Sequence, residues 1–200
     1  MAVLRALAVV SVLGLAGCST AVAGQASPAV HPQLRFRPVL VDPTTGAAMV
    51  MPSDQRSGNG QSPRQSTTPA EQRAALEGLD CSAPDPLHAK DDPAKPLATC
   101  DQQGEMKYVL GPSFLDGSSI KSATAGQDQG RWTVTLTFTT AGAKTWSDYT
   151  GHNVGSQVAV ALDGRVLSAP TINQQITGDT EISGSFTEQT AKDLAAALSG

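Results

Sequence analysis

Aromatic side chains are scarce in this 200-residue chain: four Phe, two Trp and two Tyr, or 4% of the residues. So few large side chains limit the packed core, and at roughly 100 to 200 residues per domain the chain has room for one modest domain with extensions. Charge is sparse as well, at 16%, with 14 Lys and Arg against 18 Asp and Glu and a net charge of −4. The basic residues are spread from Arg5 to Lys192 without the patch that grips a phosphate backbone, which excludes nucleic acid as an expected partner. No apolar stretch reaches 18 residues, so none reads as a spanning helix. The G-x-S-x-G, H-E-x-x-H, Walker and G-x-G-x-x-G patterns are also lacking, and with them any cofactor signature.

What is present begins at the N-terminus. Arg5 precedes the apolar run Ala6 to Ala16, interrupted only by Ser11 and Gly14, which is the layout of an export signal. Eleven helical residues cover about 17 Å against a hydrocarbon slab of about 30 Å, too little to span it. Leu15-Ala16-Gly17-Cys18 resembles a bacterial lipobox, in which Cys18 is lipidated and becomes the mature N-terminus. Residues 1–17 are then a lipoprotein signal peptide, and the protein is expected on the extracytoplasmic face of the cell membrane, held by acyl chains at about 0.8 kcal/mol per buried CH2. The alternative is an ordinary signal peptide with an incidental cysteine. Cys81 and Cys100 remain as an even pair in an oxidising compartment and predict a disulfide. A metal pair would have only His88 nearby, short of a zinc ligand set. Closing the loop that contains Pro84, Pro86, Pro93 and Pro96 is worth about 3 kcal/mol in the chain-entropy picture.

Eleven of the 13 prolines precede residue 100, whereas seven of the eight aromatics follow residue 107, which places the core in the second half. Residues 18–33 read as a disordered tether and 52–75 as a mobile loop, both too poor in large apolar groups to offset the entropy of ordering. Between them, 34–41 alternates as a strand without an evident partner, and Pro38 suits an edge. From 107 onward the patterns are regular: a strand over 107–110, a turn near Gly117 to Ile120, and Trp132, Val134, Leu136 and Phe138 alternating with threonines. Thr140 then stands where a helix N-cap is needed, followed by Ala143, Trp146, Thr150 and Val154 at helical spacing. Two short strands flank Asp163-Gly164, a type I′ hairpin signal that sets Val160 opposite Leu167. A strand near Glu181 to Ser183 leads to a helix capped by Thr187, with Ala191, Leu194, Ala195 and Leu198 on one face. The expected class is α+β, a two-layer sandwich of a mostly antiparallel sheet with two amphipathic helices on one face.

Constellations for chemistry are weak. Ser118 and Lys121 fit S-x-x-K, but Lys144-Thr145 and Ser147-Asp148 do not complete the accompanying triplets, so a polar turn is the expected reading over a hydrolase. His31, His88 and His152 are scattered. Asp85, His88, Asp91 and Asp92 lack the alternating oxygens and central Gly of a dedicated calcium loop, so no metal site is assigned.

Several phrases of the second half, taken in order, resemble the head of the first periplasmic domain of SecD: Tyr108-Val109-Leu110-Gly111-Pro112, then Gly117-Ser118-Ser119-Ile120, the Trp-rich strand and Gly142-Ala143-Lys144. Most specific is Leu162 to Ile172, similar to an LDG-x-V-x-SAP-x-I hairpin, followed by Ile176-Thr177-Gly178 and Ile182 to Thr187. The resemblance covers about residues 34–200, with residues 107–200 as a head-like domain and 34–106 as a Pro-rich segment that carries the disulfide loop 81–100. It implies a non-catalytic module, partnered by Sec translocon components or exported polypeptide, without the membrane helices that make SecD part of a proton-driven motor. Val158, Val160, Leu162, Val166 and Leu167 are the expected contact surface, by strand addition or groove binding. The alternative is a structural or ligand-binding lipoprotein of the cell envelope unrelated to secretion.

Overall fold

The computed structural model describes residues 33–42, 44–55 and 63–199. Cys18, the signal segment and most of the tether lie outside the described residues.

β1 (Leu34–Pro38) sets Leu34 and Phe36 on one face and Arg35 and Arg37 on the other. It is an inner strand rather than the expected isolated edge. β5 (Leu115–Asp116) pairs on one side and β8 (Val158–Leu162) on the other, both antiparallel. Pro38 is tolerated because it ends the strand, beyond the reach of the two-residue β5. β8 turns through Asp163 and Gly164, with φ of 52° and 86°, into β9 (Arg165–Ser168), the turn that Asp-Gly predicts. The register differs from expectation, since Val160 faces Ser168 and Leu167 is the extra residue of a bulge.

A second sheet has the order β10-β7-β6 and consists of β6 (Ile120–Asp128), β7 (Arg131–Phe138) and β10 (Thr180–Phe186). Val134, Leu136 and Phe138 of β7 enter the core as their alternation requires. β6 carries few large side chains, so its pattern is faint: Ile120 at its start is buried, and beyond it Ala123 and Ala125 pack inward beside β7. α2 (Thr140–His152) is capped by Thr139, one residue before the expected position, whose side chain accepts from the Gly142 N–H at 3.1 Å. A Cβ on Gly142 would stand 2.6 Å from the Ser119 carbonyl, so glycine permits this close approach. Val154 falls beyond the helix end and is 55% exposed, not inward as its spacing suggested. α3 (Glu188–Leu198) starts at Thr187 in a capping box with Thr190 and buries Ala191, Leu194, Ala195 and Leu198, as its spacing predicts.

A third sheet, in the order β2-β4-β3, joins β2 (Val50–Pro52), β4 (Met106–Leu110) and β3 (Leu97–Cys100). It is covered by α1 (Pro69–Gly78), which replaces part of the expected loop at 52–75. Pro69 preorganises the first turn, and Ala75 and Leu76 pack with Met49, Ala98 and Val109. The class is α+β with antiparallel pairing throughout the three sheets, although the strands are divided among them rather than forming one layer.

The Arg face of β1 is covered by the loop closed by the Cys81–Cys100 disulfide. Arg37, fully buried, donates to Asp91 Oδ2 at 2.5 Å and to the carbonyls of Lys95 and Gly111 at 2.9 Å. Arg35 donates to the same carboxylate oxygen at 2.6 Å. Burial pushes the Arg37 pKa down and the Asp91 charge opposes that shift. Nearby, Arg64 grips Asp85 through two nitrogens, at 2.5 and 3.1 Å.

Removing the carboxylate strands a buried guanidinium, so Asp91→Ala should lower stability by about 3–5 kcal/mol in urea unfolding. Partial burial raises the Asp85 pKa, but the Arg64 hydrogen bonds and the Leu87 N–H outweigh it and hold the carboxyl below its usual range. A folded-state pKa below the unfolded value of about 3.9 means that this stabilisation is present above that pH and lost as pH falls through the folded value. Melting temperature recorded from pH 6 downward should therefore fall less steeply for Asp85→Asn than for the wild type.

Candidate functional site

The hairpin residues expected to meet a partner are instead interior. Val158, Val160 and Leu167 are 2%, 3% and 8% exposed and join the main core, Val166 is buried in a second cluster with Val39 and Leu110, and Leu162 is half-buried. The correction has a simple cause: β1 covers one edge of β8, and both faces of the hairpin are packed, so its apolar run is that of a doubly buried strand. Ser118 and Lys121 are divided between a 3-10 turn and the start of β6, both exposed, and the Ser118 hydroxyl donates to Asp116. The loop carboxylates are committed elsewhere, Asp91 to Arg35 and Arg37, Asp85 to Arg64, and Asp92 to the Ala94 N–H and Lys95. His88 is exposed in the disulfide loop, His152 ends α2, and His31 lies outside the described residues.

A cleft of about 370 Å³ between the first two sheets combines an apolar interior with a polar rim and can hold a ligand. Its floor combines Trp146 of α2 with Val158 and Val160 of β8, and one wall is formed by Ile172 and Ile176. Trp146 is placed by an aromatic cluster, with ring centroids 5.2 Å from Phe36 and 5.9 Å from Phe138. Phe114 stacks on Tyr149 at 3.7 Å behind it, and burial raises the Tyr149 pKa. Asp179, Thr180 and Glu181 rim the opposite side at the start of β10.

The wall is a loop without regular structure, and its position follows from its bonds. Ile172 donates to the Ser156 carbonyl at 2.9 Å and Val158 to the Pro170 carbonyl at 3.1 Å, so 170–172 runs beside the start of β8. Further on, the Thr150 hydroxyl, fully buried on α2, donates to the Trp146 carbonyl and accepts from the Ile176 N–H, each at 2.9 Å. Gln175 reaches the Ser147 hydroxyl at 2.9 Å. Such an arrangement, apolar inside and polar at the rim, suits reversible binding of an apolar group with polar neighbours. The sequence sets Trp146 and Thr150 at helical spacing on one helix face without joining them to a cleft; the available signal was the pair Ile172 and Ile176 within the polar run 171–180. Among the described residues no helix is long and apolar enough to cross a membrane, and no cluster of His, Cys, Asp and Glu is arranged for a metal.

The sequence signature of the family described as SecDF, P1 head subdomain, matches residues 95–200. Protein translocase subunit SecD of Mycobacterium tuberculosis is 41% identical over 143 residues, covering 68% of this chain and 25% of that protein. SecD of Streptomyces coelicolor is 38% identical over 136 residues, covering 60% and 24%. The chain thus spans about a quarter of the length of these relatives. A solved structure of SecDF, described as a membrane component that enhances protein export, is similar at 29% identity and a TM-score of 0.49, over 84% of this chain and 62% of that one.

The pin between α2 and the cleft wall can be tested alone. Thr150→Val keeps the volume but removes the acceptor for the Ile176 N–H, so it should cost about 1–3 kcal/mol in denaturant unfolding. Amide exchange at Ile176 should accelerate while that of β7 is preserved.

Proposed function

This chain belongs to the SecDF P1 head family, and from that premise we propose that it is a non-catalytic, lipid-anchored module on the extracytoplasmic face of the bacterial cell membrane that holds polypeptide during protein export. The observation that carries this reading is the cleft over Trp146, an apolar floor with a polar rim open to an extended chain. Extended peptides are commonly held in such grooves, with apolar side chains in the pocket and the backbone hydrogen-bonded at its edge. The relatives are named as subunits of a protein translocase, which supports translocon components or exported chains as partners. The lipobox at Cys18 supports the anchor, since acyl chains hold a protein at a membrane without a spanning helix. The buried hairpin then serves mainly as the scaffold under the cleft, and of its residues Val158 and Val160 meet the occupant, at the cleft floor.

A photo-crosslinking residue in place of Gln174, an exposed residue lining the cleft, tests this in cells. Translocon subunits or partly exported chains should be recovered, and Cys18→Ser should reduce the yield while shifting the protein to the soluble fraction. Recovery of envelope enzymes alone, or of nothing above background, would overturn the export role and favour a structural or ligand-binding lipoprotein. Retention of the Cys18→Ser chain in the membrane would overturn the anchor.

A further inference from the structure

Two residues that line the cleft each carry a buried polar atom with no protein partner. Trp146 is 2% exposed, yet its indole Nε1 has no acceptor, and the buried Thr180 Oγ1 is likewise unpaired. Both residues line the same cleft, Trp146 at its floor and Thr180 at its rim. An indole N–H can only donate, and a hydroxyl can donate as well as accept. Buried donors left unpaired are costly, so an occupant that supplies an acceptor is favoured over bare hydrocarbon.

Charge narrows the occupant further. The lining contains the exposed carboxylates Asp179 and Glu181 and no Lys or Arg. Its volume of about 370 Å³ lies near the small end of ligand sites, enough for a few residues and not for a folded surface. Apolar groups, regularly spaced carbonyl acceptors and a positive charge occur together in an extended peptide with basic residues beside an apolar stretch. Resting on the polypeptide-binding reading of this cleft, we propose that it selects short apolar segments flanked by Lys or Arg. Backbone carbonyls take the Trp146 N–H and the Thr180 hydroxyl, apolar side chains cover Val158, Val160 and Ile172, and the basic flank faces Asp179 and Glu181. Segments with acidic flanks are repelled by the same carboxylates.

The test uses the purified full chain and two acetylated, amidated peptides with one Leu-Ala core, flanked by lysines in one and by glutamates in the other. Titration calorimetry at low salt should give at least about tenfold tighter binding of the lysine peptide, with the difference shrinking as salt screens it. Asp179→Asn with Glu181→Gln should remove most of that preference. Trp146→Phe and Thr180→Val should each weaken both peptides about five- to tenfold, the loss of one hydrogen bond. Trp146 packs in the core, so Thr180→Val, with unchanged melting temperature as its control, carries the hydrogen-bond test if the Phe variant does not fold. Equal affinity for the two peptides, or a preference that survives both neutralisations, would overturn the proposal. Crosslinks to exported chains in cells without charge preference in vitro would remove this selectivity alone. Charge-selective binding in vitro without crosslinks to export components would remove the export role alone.

Discussion

The Asp91 carboxylate accepts both arginines of β1, and the facing of that strand depends on it. Side chains alternate along a strand, so a slip of one residue would turn Arg35 and Arg37 into the aromatic core and Phe36 out of it. A guanidinium as buried as that of Arg37 is tolerable only with a charged partner and further acceptors, which Asp91, Lys95 and Gly111 supply. All three acceptors come from outside the strand. The disulfide loop delivers two of them, which gives the Cys81–Cys100 link a role beyond shortening the unfolded chain.

With the arginines committed to one face, Phe36 is committed to the other, where it meets Phe138 and Trp146. A distant strand, β1, thus shares one aromatic contact with the consecutive elements β7 and α2, and α2 is seated by it. Trp146 in turn forms the floor of the cleft, while Thr150, one helical turn on, ties down the loop that walls it. The cleft is a consequence of the seam between two sheets, closed at its base by rings and left open where β10 begins with polar residues. Under the proposed role, a surface of this kind would take and release short segments, and its carboxylate rim would add the proposed preference by charge.

Much of the fold was legible because local signals agreed with one another. The β7 alternation, the Asp163-Gly164 turn and the capped α3 appear where their residues place them, each being specified within a dozen positions. β6 and α1 were not legible, since Ala123, Ala125, Ala75 and Leu76 are too few and too small to make a strong pattern and become interior only through what packs on them. The hairpin misled for a related reason. Its continuous apolar run reads equally as an exposed contact face or as a strand covered on both sides, and only β1, more than a hundred residues earlier, decides between them.

The sequence by itself determined the α+β class, the hairpin turn, the terminal helix and the resemblance to the SecD head, because each is written in local patterns or short motifs, and it determined the pairing of Cys81 with Cys100 because they are the two cysteines left after Cys18. Only the tertiary structure decided that β1 is central, that the valines of the hairpin are buried, and that Trp146, Ile176 and Thr180 surround one cleft. Those outcomes depend on contacts between distant segments, where burying two arginines against one aspartate and three rings against each other outweighs any local preference.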